Sequence, residues 1–201
     1  MRTMLRCARL PTSGIRHVLQ RRWIVSYYEL FPGTFPDSQP RWDVDLGKLR
    51  KEYRKLQAEV HPDKIQKEQE ADSEQSSLLN KAYHALKDPL TRSQHMIQIL
   101  KDVDLTVDSV AREYTQMDPE LLMDVMDVHE QLLDANSRDE VREIEKVNKQ
   151  RIEKIEAELK ECYDNKEYER AINLTARLKY WKNVASAVKD WAPGKPIDLK
   201  H

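Results

Sequence analysis

The chain of 201 residues is long enough for one or two small domains. Charged residues make up 34% of it and only 4 residues are glycine, a composition that favours helix over sheet. No apolar run reaches the length of a membrane span, and Cys7 and Cys162 are too few and too far apart for a disulfide framework or a cysteine-rich zinc site. We therefore predict an all-α protein, and no residue pattern in it indicates a cofactor or a metal ion.

The first 25 residues form a separate basic unit. Six arginines precede the first acidic residue, Glu29, and Ser, Thr and small apolar residues lie between them. Such an Arg-rich, acid-poor leader is typical of a mitochondrial transit peptide. The alternative is a basic tail that contacts nucleic acid or acidic lipid. We predict import into the mitochondrial matrix, with cleavage in the stretch from Trp23 to Ser26.

Two amphipathic helical patterns follow, with a polar loop between them. Asp45 is placed to cap the first helix, which is predicted to run through Val60. Its apolar residues recur at the spacing of one helix face, and the second pattern, closed by Asp88-Pro89, does the same. We predict an antiparallel hairpin, one end of which is covered by the aromatic segment 27–31. Its basic face consists of Arg50, Lys51, Arg54 and Lys55.

The loop of this hairpin carries His61-Pro62-Asp63, followed by Lys64. Proline ends the helix, because it lacks an N–H donor and biases the preceding residue away from helical conformation. The His and Asp side chains are thus presented where a partner reaches them. Such a pair suits acid–base catalysis, but an exposed loop supplies neither a pocket nor a nucleophile, so we do not predict an enzyme. Nucleic-acid binding is not expected either, because Glu52 and Glu59 interrupt the basic face and no aromatic platform follows.

Together these elements resemble a J-domain. The resemblance rests on the basic helix and on Tyr28-Glu29-Leu30-Phe31, His61-Pro62-Asp63-Lys64, Asn80-Lys81-Ala82-Tyr83 and Leu86-Lys87-Asp88-Pro89. J-domain proteins stimulate ATP hydrolysis by DnaK-type (heat-shock 70) chaperones. The resemblance therefore implies that the loop residues His61, Pro62, Asp63 and Lys64, together with the basic face, bind a mitochondrial chaperone of this type.

The chain beyond the hairpin resembles one subfamily, the HscB-type co-chaperones of iron–sulfur cluster biogenesis in their mitochondrial form. Asp118-Pro119-Glu120 is a strong helix start, and further helices are predicted from near Asp139 to Asn165 and from near Glu167. Short connections favour an antiparallel three-helix bundle over the alternative, a long coiled coil. The predicted division is transit peptide 1–25, J-domain 26–100, linker 101–117, C-terminal client-binding domain 118–190 and tail 191–201.

The first C-terminal helix has more apolar surface than a bundle needs. One stripe, which includes Leu121, suits the core, while Leu122 and Met126 form a second stripe rotated by about 100°. We predict a protein-binding patch there; the alternative is that these residues cover the linker. HscB-type proteins place their contacts to the cluster scaffold protein at positions that match Leu122, Met126 and Tyr180. Neighbouring contact positions match Leu121, Met123, Asp124, Asp127, Glu130, Gln131 and Asp134.

Three functions remain open at this stage. The first is a co-chaperone that delivers the scaffold protein to a DnaK-type chaperone, the second is a J-domain co-chaperone with another client, and the third is a helical adaptor. Chaperone ATPase stimulation separates the first two from the third, and capture of the client separates the first from the second. Weak self-association is included among the expected interactions.

Overall fold

The computed structural model describes residues 26–59, 69–116 and 118–193, and these residues form helices and no strand. The all-α prediction is confirmed. None of the described helices is both long and apolar enough to cross a membrane. A 3₁₀ turn at Tyr27–Leu30 is followed by α1 (Leu46–Glu59), α2 (Gln69–Lys87), α3 (Pro89–Lys101), α4 (Asp108–Thr115), α5 (Pro119–Asp134), α6 (Arg138–Asn165) and α7 (Tyr168–Asp190).

Helices α1 and α2 pack against each other as the predicted hairpin. The carboxylate of Asp45 accepts the backbone N–H of Lys48 at 3.0 Å and so caps α1. The Tyr53 ring stacks on Tyr83 with centroids 4.1 Å apart, and its hydroxyl donates to Asn80 at 2.6 Å. The aromatic segment before the hairpin packs against α2 as predicted, with Tyr28 and Phe31 fully buried.

The segment predicted as a linker, residues 101–117, contains a short helix and packs against the rest of the chain. Helix α3 continues to Lys101, and residues 108–115 form a further helix, α4, that packs on α7. Leu105, only 1% exposed, packs between these elements in a small cluster with Ile97 and Ile172. Asp108 in the first turn of α4 forms an ion pair with Lys179 of α7, with Oδ1 and Nζ 2.6 Å apart. This segment is therefore a structured bridge between the two halves of the chain.

Helices α5, α6 and α7 form the predicted three-helix bundle, with α5 parallel to α7 and α6 antiparallel to both. Asp118 pairs with Arg177 at 3.0 Å, and the Trp191 indole N–H donates to the Leu132 carbonyl, also at 3.0 Å. Both pairs are 59 residues apart in sequence, which fixes the register of α5 on α7. Trp191 is buried, so the domain extends past residue 190 and the predicted tail boundary is wrong.

The J-domain and the bundle share a buried interface between α3 and the pair α6–α7. The Ser93 hydroxyl lies 2.6 Å from the Tyr163 hydroxyl and 2.5 Å from that of Thr175. Burial raises the pKa of Tyr163 to about 12. Trp42 stacks on Tyr163, and the guanidinium of the buried Arg92 lies over Trp42, 4.8 Å from its ring centroid. Because a buried polar network tolerates little displacement, the two halves are held in a fixed arrangement.

Candidate functional site

Two exposed surfaces are the candidate sites. The first, here named the hairpin surface, consists of Arg50, Lys51, Arg54 and Lys55 on α1. All four side chains are exposed, and in the part of the chain that the structure describes none of them forms an ion pair. Their positive charge is therefore available to an acidic partner.

Among the described residues Glu52 forms no ion pair with these cations, although it interrupts them in sequence. Its carboxylate accepts hydrogen bonds from the backbone N–H of Gly33 at 2.6 Å and from the N–H and hydroxyl of Thr34 at 2.7 Å each. A Cβ atom at Gly33 would lie 2.9 Å from this carboxylate, so a larger residue there would displace the Glu52 side chain. The Glu52 charge is used within the protein to fix the turn before α1.

The four loop residues predicted to touch the chaperone, His61, Pro62, Asp63 and Lys64, lie outside the described residues. They fall between the end of α1 at Glu59 and the start of α2 at Gln69. The described helices on either side have the antiparallel arrangement that the sequence predicts for a loop at a hairpin end. The role of the four residues stays a prediction.

The second surface, here named the α5 patch, consists of Leu122, Met126 and Tyr180. Leu122 is 38% exposed and Met126 is 63% exposed, so both present apolar surface to solvent. The register of α5 on α7 places Tyr180 level with Leu121 and beside Leu122. Tyr180 is half-buried, and its hydroxyl lies 3.3 Å from that of Thr115 on α4. That these three residues form one contact surface for a client stays a prediction.

Leu121 is the one predicted client contact that the structure corrects. Its side chain is 0% exposed and belongs to the bundle core together with Val125, Val128 and Leu132. One residue along a helix is a rotation of about 100°, which separates this core stripe from the exposed Leu122. Leu121 therefore holds α5 in place and offers no surface to a partner in this conformation.

The apolar stripe on α5 is longer than the sequence analysis recognised. His129 and Leu133 continue the line of Leu122 and Met126 at the i, i+4, i+7 and i+11 positions of one helix face. Leu133 is 57% exposed, and His129 is half-buried with its Nε2 atom lacking a hydrogen-bond partner among the described residues. This stripe has the residue spacing of the core stripe, shifted by one position, and that spacing predicts both His129 and Leu133.

Carboxylates border this stripe on the far side of α5. Asp127, Glu130 and Asp134 are exposed and line an open groove between α5 and α6, where Gln131 also lies. Met123, 66% exposed, lies between the apolar stripe and this groove, and Asp124 is half-buried. The exposed client residues predicted on α5 are therefore spread over its solvent-facing side and do not form one compact cluster. The described residues hold no group of His, Cys, Asp or Glu arranged for a metal ion.

Two buried titratable groups, His95 and Cys162, lie in the fold away from these surfaces. His95 is buried, accepts the backbone N–H of Tyr27 at Nε2 with a length of 3.0 Å, and stacks on the Tyr27 ring. Burial lowers the pKa of His95 to about 4, so the ring is neutral at physiological pH. Cys162 is buried as well, and desolvation raises the pKa of its thiol. Neither group borders the hairpin surface or the α5 patch.

Known proteins resemble this chain over nearly its whole length. A family model described as the DnaJ domain matches residues 41–95, and one described as the HSCB C-terminal oligomerisation domain matches residues 117–189. The chain is 50% identical to the mitochondrial J-type co-chaperone JAC1 of Saccharomyces cerevisiae over 187 residues, which cover 93% of this chain and 100% of that protein.

Two further comparisons agree with this result. The solved structure of the Jac1 co-chaperone from Saccharomyces cerevisiae superposes with a TM-score of 0.76 and covers 85% of this chain and 98% of that one. The human iron–sulfur cluster co-chaperone protein HscB is 27% identical over 157 residues, which cover 76% of this chain and 65% of the human protein. The resemblance noted in the sequence is therefore confirmed.

Proposed function

Because the chain belongs to the HscB family of J-type co-chaperones, we propose that it stimulates a mitochondrial DnaK-type chaperone and delivers the iron–sulfur cluster scaffold protein to it. The observation that carries this proposal is the presence of two exposed surfaces of different chemistry on one fixed frame. The first meets the chaperone and the second meets the client. The chain itself is an activator and not the ATPase.

The hairpin surface supports the chaperone contact. Four exposed cations on one helix face, without an ion pair among the described residues, attract an acidic surface and raise the rate of encounter. We assign the contact that triggers hydrolysis to His61, Pro62 and Asp63, since these residues follow directly after that helix. We assign Lys64, the next residue in the sequence, to the same contact.

The α5 patch supports the client contact. Full burial of an apolar side chain the size of Leu or Met contributes about 1.5–3 kcal/mol. Leu122, Met126 and Tyr180 together therefore supply a large share of the roughly 8 kcal/mol that a micromolar complex requires. Leu133 lies on the same stripe and extends the apolar contact. The carboxylates of Asp127, Glu130 and Asp134 favour a basic rim on the client.

The shared interface explains how binding at one surface is coupled to delivery at the other. Two ion pairs add to the buried network around Ser93. Lys160 pairs with Asp43, and the Nζ atom of Lys182 lies 3.6 Å from Oδ2 of Asp88. A client held on α5 is thus kept at a defined distance from the chaperone on the hairpin. This raises its effective concentration at the chaperone.

The proposal is tested by ATP hydrolysis of the mitochondrial chaperone with this protein added, in the presence and absence of the scaffold protein. We expect stimulation by the chain alone and greater stimulation with the scaffold. His61→Gln is expected to remove both effects while helicity stays the same, because loss of a charged or polar interface contact costs about 2–5 kcal/mol. Stimulation by the variant equal to that of the wild type would exclude the proposed loop contact.

The leader fits a mitochondrial location, which is also in the names of the relatives from Saccharomyces cerevisiae and Schizosaccharomyces pombe. We propose import into the matrix and cleavage between Trp23 and Ser26. Mass spectrometry of the protein purified from its own cells tests this. A mature chain that still carries Arg2 to Arg22 would contradict a cleaved transit peptide.

The same proteins also test for a different client and for self-association. A J-domain co-chaperone with another client would stimulate the chaperone but not capture the scaffold protein. Self-association is suggested by the description of the matched C-terminal family as an oligomerisation domain. Sedimentation over a range of concentrations tests it, and a constant monomer mass at the highest concentration would exclude it.

A further inference from the structure

Two methionines are the most exposed apolar side chains on α5. Met123 is 66% exposed and Met126 is 63% exposed, whereas Met96 in the J-domain core is only 2% exposed. A thioether packs like a leucine side chain but, unlike leucine, it is readily oxidised. The client-facing stripe of this chain therefore contains a group whose polarity an oxidant changes.

We propose that Met126 is an oxidation-sensitive site, and that conversion of its thioether to the sulfoxide by hydrogen peroxide releases the client. The inference rests on the proposed client-binding function of the α5 patch and adds a means of regulating it. Met126 lies in the middle of the stripe, one turn from Leu122 and two turns from Leu133. A polar group at this position interrupts the apolar contact at its centre.

The reaction is a two-electron oxygen transfer from the peroxide to the sulfur of Met126. The O–O bond breaks, one oxygen forms the S–O bond, and the other leaves as water. The sulfur loses two electrons and the peroxide gains them. Methionine sulfoxide reductases reverse the change: two thiols become a disulfide, and the sulfoxide oxygen leaves as water.

A client that covers Met126 removes water from this side chain, so a sulfoxide oxygen there would lose its hydration. Asp127 and Glu130, two of its polar neighbours along α5, carry carboxylates that accept and do not donate hydrogen bonds. The Nε2 atom of His129 is buried. Because a polar sulfoxide replaces an apolar thioether at the centre of the stripe, we expect the affinity to fall about tenfold or more.

Met123 provides a comparison on the same helix. It is three residues from Met126, which places it about 60° further round α5 and further from α7. Its exposure is nearly the same, so peroxide reaches both sulfurs equally well. Oxidation at Met123 should affect binding less, because this side chain lies toward the carboxylates and outside the apolar stripe.

The test measures the affinity of the full chain for the scaffold protein before and after treatment with hydrogen peroxide, for the wild type, Met126→Leu and Met123→Leu. Peptide mass mapping quantifies oxidation at each methionine, and Met96 should stay reduced while the protein is folded. The ratio of the two affinities is the readout, whatever the starting affinity of each variant. We expect a fall of at least about tenfold for the wild type and for Met123→Leu, little change for Met126→Leu, and recovery with the reductases.

The outcomes separate this inference from the proposed function. A wild-type protein with Met126 fully oxidised and its affinity unchanged would overturn the inference and leave the client site in place. An equal loss in Met126→Leu would place the sensitive group elsewhere and would also overturn it. Unchanged binding after truncation of Leu122, Met126 and Tyr180 to alanine would instead contradict the proposed function, and the inference with it.

Discussion

The hairpin surface and the α5 patch differ in the physical range of the forces they exert. Arg50, Lys51, Arg54 and Lys55 act across water and are screened by salt, with a Debye length of about 8 Å at physiological ionic strength. Leu122 and Met126 contribute only when water is excluded on contact. The first surface is therefore suited to fast, transient encounter, and the second to holding a client.

This difference makes the two surfaces separable by experiment. A change on one should alter one partner's binding and leave the other's intact, because the hairpin and α5 lie on different halves of the chain. The fixed interface around Ser93 and Tyr163 should be insensitive to both kinds of change.

The largest effect is expected from truncation of Leu122, Met126 and Tyr180 together to alanine. Loss of three side chains worth about 1.5–3 kcal/mol each should nearly abolish binding of the scaffold protein. Chaperone stimulation in the absence of scaffold should persist. Calorimetric titration and the ATPase assay on the same preparation measure both. Val147→Ala, at an exposed apolar position on α6, is the control and should bind normally.

Loss of folding in the triple variant would show that these residues belong to the core. Tyr180→Phe resolves this point, because it keeps the ring and removes only the hydroxyl near Thr115. If the Phe variant folds and the triple variant does not, the side chains truncated in the triple variant support the fold. Client binding at wild-type affinity in a folded triple variant would place the client site elsewhere.

Adjacent residues on α5 sharpen the comparison between core and surface. Leu121→Ala should destabilise the protein by about 2–5 kcal/mol, because it leaves a cavity in the bundle. Leu122→Ala should change stability by under about 1 kcal/mol but weaken client binding. Urea unfolding and a binding titration of both variants check this. Equal stability of the two variants would refute the assignment of Leu121 to the core.

The stability of the J-domain half should depend on pH through His95. Burial lowers the pKa of this ring to about 4, so between that value and the ordinary 6.5 the unfolded chain binds a proton that the folded chain does not. The neutral His95 ring makes its full contribution to the free energy of unfolding above pH 6.5. This contribution is lost as the pH falls toward 4, by up to about 3 kcal/mol. The free energy of unfolding, measured with urea, should differ less between pH 7 and pH 5 for His95→Gln than for the wild type or for the control His84→Gln.

The smallest effect is expected on the rate of association with the chaperone. Lys51→Glu with Lys55→Glu should slow association about tenfold at low salt, and added salt should reduce the difference. Stopped-flow measurement at several salt concentrations provides the rates. Lys149→Glu with Lys154→Glu on α6 makes the same change in net charge away from the hairpin. Equal slowing by both pairs would show that net charge matters and that the hairpin surface does not.

Features set by neighbours in sequence could be predicted from the sequence. Asp45 and Asp118 cap their helices through side-chain hydrogen bonds to backbone N–H groups three residues on, and this chemistry is visible in a few letters. The exposed stripe on α5 follows from the same regular spacing. Its extension to Leu133 required only that the spacing be followed to the end of the helix.

Features set by distant residues could not be predicted. Trp191 joins the bundle because its indole reaches the carbonyl of Leu132, 59 residues away. Ser93 meets Tyr163 across 70 residues, and no local pattern indicates that a serine there is buried. Helix α4 has only eight residues, too few to be stable in isolation, and depends on its packing against α7.

The central claim is that one molecule must carry both surfaces to deliver the client. It is tested most directly by mixing full-length His61→Gln, defective at the loop, with the Leu122/Met126/Tyr180 triple alanine variant, defective at the α5 patch. The rate of chaperone ATP hydrolysis is then measured with the scaffold protein present. We predict that the mixture stimulates no more than the triple variant alone, because the client must be held on the chain that engages the chaperone. Wild-type stimulation by the mixture would contradict the account.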